Sequence, residues 1–177
     1  MTKSTVERDI VYMKMARDIS NLSKDKNTHI GCMIVASDGT PVSWGYNGAI
    51  AGCNDVLIPH SREIEPVSYR RVTNNGTETI TLDLNKYPFM SHAEANAIYF
   101  ADRNKLIGST LYVTAYPCIE CAKAITRAGI KRVVIETPSI VDSTSSIEEV
   151  NYKSECIMAQ KNITLTVDGN DIQLYCD

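Results

Sequence analysis

The chain lacks any apolar run approaching the roughly 18 residues that a membrane-spanning helix requires. Its first twelve residues, MTKSTVERDIVY, mix charges and polar groups and contain no apolar core of a secretory signal. A soluble, cytoplasmic protein with no membrane partner is the expectation. A basic excess is missing as well, since the formal net charge is −3. Proteins that grip a nucleic-acid backbone draw most of their non-specific affinity from phosphate neutralisation. The nearest basic group here, Arg70-Arg71, reads as a solvated loop, so no nucleic-acid partner is expected. A small anionic ligand needs only one or two donors and is not excluded. The six cysteines have neither a secretion signal nor a shortage of core residues to argue for disulfides, because 44% of the chain is hydrophobic. Cys32 in the apolar run 30–36 and Cys156 in a helical pattern read as core thiols. Neither an internal repeat nor a low-complexity tract is found.

At 177 residues the chain has the size of a single domain, taken as 1–177. Apolar residues at helical spacing predict a helix over 6–22. The run 30–36, a turn at Asp38-Gly39 and residues 41–46 predict a β-hairpin. Residues 48–91 hold scattered Gly and Pro with little periodicity, and predict a long loop insertion with a short helix near 60–65. From His92 the order becomes regular. A helix is expected to Asn104, a strand over 110–114 and a helix from Cys118 to Gly129. A strand over 131–137, a helix over 145–161 and strands over 163–167 and 172–176 follow. This alternation predicts a single α/β domain, a sheet with helices packed on both faces.

The informative residues are His92-Ala93-Glu94 and Pro117-Cys118-Ile119-Glu120-Cys121. Catalytic zinc takes three nitrogen or sulfur ligands and leaves a fourth position for water. His92, Cys118 and Cys121 satisfy that count. Cys118 and Cys121 stand at i and i+3 on one helix face, and Pro117 fits just before the helix. The positive end of the helix dipole favours thiolates there. His92 and Glu94 would point apart in mid-helix, so both reach one site only if His92 starts the helix; Ser91 is the expected N-cap. Zinc so held lowers the pKa of water toward neutrality. Glu94 then serves as the proton carrier, from water to a ring nitrogen and then to a leaving amine. His-x-Glu followed by Pro-Cys-x-x-Cys is the signature of zinc deaminases, which release an exocyclic amine from a base as ammonia. A structural zinc site would need a fourth ligand; Cys53, His29 and His60 are the candidates, none at ligand spacing, and it would leave Glu94 without a purpose.

Over residues 5–136 the chain resembles the deoxycytidylate (dCMP) deaminase family. The segments that carry the likeness are Ser23 to Gly31, Gly45-Tyr46-Asn47-Gly48, Gly52-Cys53-Asn54-Asp55, Lys86-Tyr87-Pro88-Phe89, His92 to Ile98, and Pro117-Cys118 through Cys121-Ala122-Lys123. The resemblance implies a cytidine-deaminase-like fold, a three-layer α-β-α arrangement with a mixed central sheet, and hydrolysis of dCMP to dUMP with one Zn2+ per subunit, since residues 82–90 lack the ligands of the second zinc seen in some phage members. It further implies that Asn47 and Ala93 contact the nucleotide and that Lys24, Asn27 and Thr28 lie near its phosphate. For the latter three, a polar turn between helix and strand is the equal alternative. Tyr116 packs either on the pyrimidine or in the core. Members are often hexamers switched on by dCTP and off by dTTP. By that likeness Gly52, Cys53, Asn54 and Asp55 form an effector loop, and Phe100 and Arg103 serve subunit contact and regulation. A triphosphate effector would bring Mg2+ with it. Two other readings stand beside this one: a deaminase of another cytosine nucleoside or base, and a non-catalytic, zinc-stabilised nucleotide-binding protein.

Overall fold

The structure, a computed structural model, describes residues 5–136 and 145–175. Five helices occur among them: α1 (Thr5–Ser20), α2 (Ala93–Tyr99), α3 (Arg103–Leu106), α4 (Ile119–Ala128) and α5 (Ser145–Ala159). The strands are β1 (Gly31–Val35), β2 (Pro41–Tyr46), β3 (Gly48–Ala49), β4 (Glu65–Thr73), β5 (Gly76–Leu84), β6 (Met90–Ser91), β7 (Thr110–Val113), β8 (Arg132–Ile135), β9 (Thr164–Val167) and β10 (Asn170–Gln173). Six of them form one mixed sheet in the order β10-β9-β8-β7-β1-β2. β7, β8 and β9 run parallel, and the β1–β2, β1–β7 and β9–β10 pairs are antiparallel.

Side chains alternate across a strand, and here both faces are covered. Cys32 and Ile34 of β1 point to the face that carries α2, α4 and α5, where they join Ala93, Ala97, Ile125 and Met158 in the larger core. Met33 and Val35 point the other way, onto Met13 and Ala16 of α1. Every residue of β1 is therefore buried. The β1–β2 turn follows the sequence reading, with Gly39 at φ 86° and the Asp38 carboxylate accepting from the Thr40 N–H at 2.8 Å. Asp168 and Gly169 both take positive φ, the backbone that a two-residue hairpin between β9 and β10 needs.

The segment 48–91 is not one long loop. β4 and β5 pair residue for residue from Glu65↔Leu84 to Thr73↔Gly76, and no helix forms near 60–65; 3₁₀ turns lie on either side, at Asp55–Leu57 and Tyr87–Phe89. The ribbon escapes a hydrophobic reading because almost all of its side chains are exposed and it lays no face on a core. The helix expected from His92 to Asn104 is also divided. α2 ends at Tyr99, and α3 starts afresh after Asp102, whose carboxylate caps the Asn104 N–H at 3.0 Å. Cys32 is buried as expected, but Cys156 is exposed, on the solvent side of α5. Thr137 and Cys176, assigned to strands from the sequence, lie outside the described residues. No helix among the described residues is long and apolar enough to cross a membrane.

Candidate active site

Two helix N-termini meet at the site. His92 is the N-cap of α2, with extended backbone (φ −78°, ψ 155°), and Cys118 is the N-cap of α4, also extended (φ −71°, ψ 171°). The cap falls one residue later than expected, because Ser91 is held in β6 opposite Gly48. His92 Nδ1 lies 3.4 Å from the Sγ of Cys118 and 3.4 Å from that of Cys121. The three donor atoms all lie within 4.8 Å of one another, which makes this a group able to hold a metal ion. Pro117 is fully buried ahead of α4, and Gly129 closes that helix in the left-handed conformation (φ 81°).

The donor chemistry fits zinc. The thiol of Cys121 hydrogen-bonds the Cys118 sulfur and, against partial burial, pushes Cys118 down to about 3. The same contact, with burial and the nearby Glu94, pushes Cys121 up. A cation held by the two sulfurs and the imidazole would let both thiols ionise. The Cys118 contact, opposed by burial, raises His92. Glu94 sits on the first turn of α2 and is 4% exposed. Burial raises its pKa, an effect only partly offset by its backbone hydrogen bond and by His92. Cys32 lies beneath it, raised well above the usual thiol value by burial and then by the Glu94 charge. Ala93, between His92 and Glu94, is fully buried.

α2 is fixed from outside by β2. The Ser43 hydroxyl donates to the Ala97 carbonyl at 2.6 Å, and the Asn96 amide donates to the Tyr46 carbonyl at 2.8 Å. Gly45 lets the two backbones touch: a Cβ there would lie 2.4 Å from the Ala93 oxygen and 2.5 Å from the Ala97 nitrogen.

The residues proposed for substrate are less uniform. Lys24, Asn27 and Thr28 are exposed on the turn after α1. Asn47 is buried, and its amide donates to the Thr28 carbonyl at 2.8 Å and to Asp25 at 3.3 Å while its Oδ1 accepts from the Ile30 N–H at 2.7 Å. Both amide hydrogens are committed to the turn, so Asn47 shapes it and leaves only an oxygen lone pair for a ligand. The Tyr116 hydroxyl donates to Glu155 of α5, and its ring packs against the larger core. Lys24 shares a cavity of about 210 Å³ with Gly52, Cys53 and His60. Asn54 caps the 3₁₀ turn that Asp55 begins, its side chain accepting from the Val56 N–H at 3.1 Å. Phe100 and Arg103 are exposed; Phe100 joins Trp44, Tyr46 and Asn96 around a second cavity of about 520 Å³.

One feature escapes sequence reasoning. Asp25 and Lys86, 61 positions apart, form a buried ion pair at 2.5 Å with side chains 4% and 5% exposed. The only sequence signal is two charges inside segments that otherwise read as turns.

The family model described as the cytidine and deoxycytidylate deaminase zinc-binding region matches residues 6–137. The chain is 37% identical over 132 residues to the human protein named deoxycytidylate deaminase; the match covers 75% of this chain and 66% of the human one, just under two thirds. It is 30% identical over 172 residues to a probable deoxycytidylate deaminase of Drosophila melanogaster, covering 94% of this chain and 79% of the relative. The crystal structure of the dCMP deaminase of cyanophage S-TIM5 with dCMP and dUMP has the same fold, with a TM-score of 0.59 at 24% identity over 94% of this chain and 99% of that one. The chain belongs to the zinc-binding cytidine and deoxycytidylate deaminase family.

Proposed function

We propose that the chain hydrolyses dCMP to dUMP and ammonia, using zinc held by His92, Cys118 and Cys121. The observation that carries this reading is the pair of 3.4 Å contacts from His92 Nδ1 to both sulfurs, with the buried Glu94 carboxyl beside them. Zinc bound there supplies Lewis acidity that makes water a competent nucleophile near neutral pH. Glu94 cannot be a fourth ligand and a proton carrier at once, and its place on the first turn of α2 suits the carrier. It takes a proton from water, passes it to the ring nitrogen of cytosine, and later protonates the amine that departs. Atoms balance as dCMP plus water giving dUMP plus ammonia.

Lys24, with the polar groups of Asn27 and Thr28, is assigned to the phosphate, for which an ammonium and neutral donors are suited. Ala93 and the Asn47 side-chain oxygen are assigned to the nucleotide, whereas Tyr116, with its ring against the larger core and its hydroxyl on Glu155, is not assigned to the base. The name that the human relative carries supports dCMP as the substrate. Regulation by dCTP and dTTP, with Mg2+ accompanying the triphosphate, is assigned to the loop Gly52 to Asp55; that Lys24, Gly52 and Cys53 share one cavity supports communication between loop and substrate. Exposed Trp44, Tyr99 and Phe100 offer an apolar surface for self-association into a homo-oligomer, with a hexamer as the family's form. Arg103 lies beside it on α3.

Ammonia release measured on dCMP, CMP, deoxycytidine and dAMP, with and without dCTP, tests the whole reading. Turnover confined to dCMP and raised by dCTP is expected. Zinc-loaded protein that releases ammonia from none of them refutes the enzymatic assignment.

A further inference from the structure

We propose that the buried Asp25–Lys86 ion pair is a positioning device: it locks the turn bearing Lys24, Asn27 and Thr28 to the segment that leads into His92, and so sets how strongly a substrate's phosphate is recognised. This rests on the assignment of that turn to the phosphate.

Asp25 is the hub of the turn, alongside the bonds that Asn47 makes to Thr28 and Ile30. Its carboxylate accepts from the N–H of Asn27 at 2.8 Å and of Thr28 at 3.2 Å, from the Asn47 amide at 3.3 Å, and from Lys86 Nζ at 2.6 and 2.5 Å. Ser23 adds a second anchor, its hydroxyl donating to the Asn47 carbonyl at 2.7 Å and accepting from the Asp25 N–H at 3.2 Å. Ser23 and Asp25 are thus drawn inside, and Lys24 between them is turned outward to its cavity. An exposed lysine has many rotamers. What fixes its starting point is the buried pair on either side of it.

The other partner belongs to the metal side. Lys86 lies six positions before His92, and its carbonyl accepts from the Phe89 N–H at 3.0 Å to form the compact 3₁₀ turn Tyr87–Phe89 that runs into β6. β6 pairs with β3, which begins directly after Asn47. The same few residues therefore join phosphate turn, nucleotide-lining strand and zinc ligand in one closed circuit. Removing one member of a buried charge pair leaves the other buried without compensation. The turn then rearranges to bring Asp25 to water, carrying Asn27 and Thr28 with it, whereas His92, Glu94 and the cysteines keep their own helix anchors.

The experiment is a substrate comparison on zinc-loaded protein. The ratio of kcat/KM for dCMP to that for deoxycytidine is measured for the wild type, Lys86→Met and Lys86→Arg. Expected is a fall of about 10- to 100-fold in this ratio for Lys86→Met, the range for misplacing a charge-assisted contact, carried by KM for dCMP with kcat nearly unchanged. Lys86→Arg keeps the charge and should restore most of the ratio. Should Lys86→Met not fold, Asp25→Asn with Lys86→Met removes the uncompensated charge and is read in the same assay. A ratio unchanged in the Met variant or the neutral pair, or lowered equally in Lys86→Arg, overturns the inference while leaving the phosphate assignment intact. A wild type with no preference for dCMP overturns the assignment beneath it.

Discussion

Replacing Gly45 with alanine should disturb the metal site from behind. The added Cβ would lie 2.4 Å from the Ala93 oxygen and 2.5 Å from the Ala97 nitrogen, both backbone atoms of α2, and 3.0 Å from the Asn96 Cβ. Carbon packs comfortably at about 3.5 Å, so α2 and β2 must separate by about 1 Å. Neither side can yield by rotating a side chain. The Ser43–Ala97 and Asn96–Tyr46 hydrogen bonds resist the separation and are stretched by it. Overpacking of this kind costs about 1–3 kcal/mol, and backbone on backbone places it at the upper end. For a chain of this length, about 3 kcal/mol lowers Tm by about 6–12 °C. The functional effect should be larger, because His92 and Glu94 ride on the displaced N-terminus, and a shift of about 1 Å can cost about 100-fold in rate. Urea or thermal denaturation, zinc content and dCMP turnover measure the three consequences. Gly169→Ala is the control: it strains a positive φ in the β9–β10 turn but meets nothing within 4 Å, so it should lose stability without losing specific activity. Wild-type Tm and turnover in Gly45→Ala would refute the claim that β2 seats the catalytic helix.

Glu94→Gln should keep its zinc and lose about 10²- to 10⁴-fold in kcat, measured by ammonia release; wild-type turnover would remove Glu94 from the chemistry. Cys118→Ala should lose its zinc, as read by elemental analysis, and full occupancy would break the ligand assignment. Lys24→Ala should weaken dCMP more than deoxycytidine, and equal losses would take Lys24 away from the phosphate. Burial raises the Asp25 carboxyl, but Lys86 and the N–H groups of Asn27 and Thr28 outweigh it and leave it below the usual carboxylate value. A carboxyl lowered in the folded state stabilises the fold above its unfolded pKa and ceases to do so as pH falls through its folded one. Urea titrations below about pH 4 should therefore show an acid-sensitive component that the Asp25→Asn/Lys86→Met protein lacks.

The metal group was legible because its chemistry is local. His92 and Glu94 stand at a spacing that makes sense only at a helix start, Cys118 and Cys121 at one that shares a helix face, and the structure places both pairs at helix N-termini. The layered sheet was legible for a related reason, since runs such as Val133-Val134-Ile135 are apolar on both faces only when layers cover both. What stayed hidden lacked a buried face or a near neighbour. The β4–β5 ribbon carries its Thr and Ile alternation in Thr77 to Leu82 and a turn signal at Asn74-Asn75-Gly76, but no core selects one face of it. The division of the helix at Phe100 was encoded by Asp102, a good N-cap inside an apparently continuous pattern. Asp25 and Lys86 each look like an ordinary solvated charge until folding brings them together.

The ribbon's attachment has a further meaning for how this architecture varies. The Lys86 N–H donates to the Ser61 carbonyl at 3.0 Å, so the two ends of the excursion are already stitched together at its root. Lengthening a loop whose ends are fixed adds little closure entropy. Everything outside that stitch can grow, shrink or be exchanged while the root keeps its geometry. The tip at Asn74-Asn75 is accordingly a natural port for grafting a foreign peptide or a reporter domain.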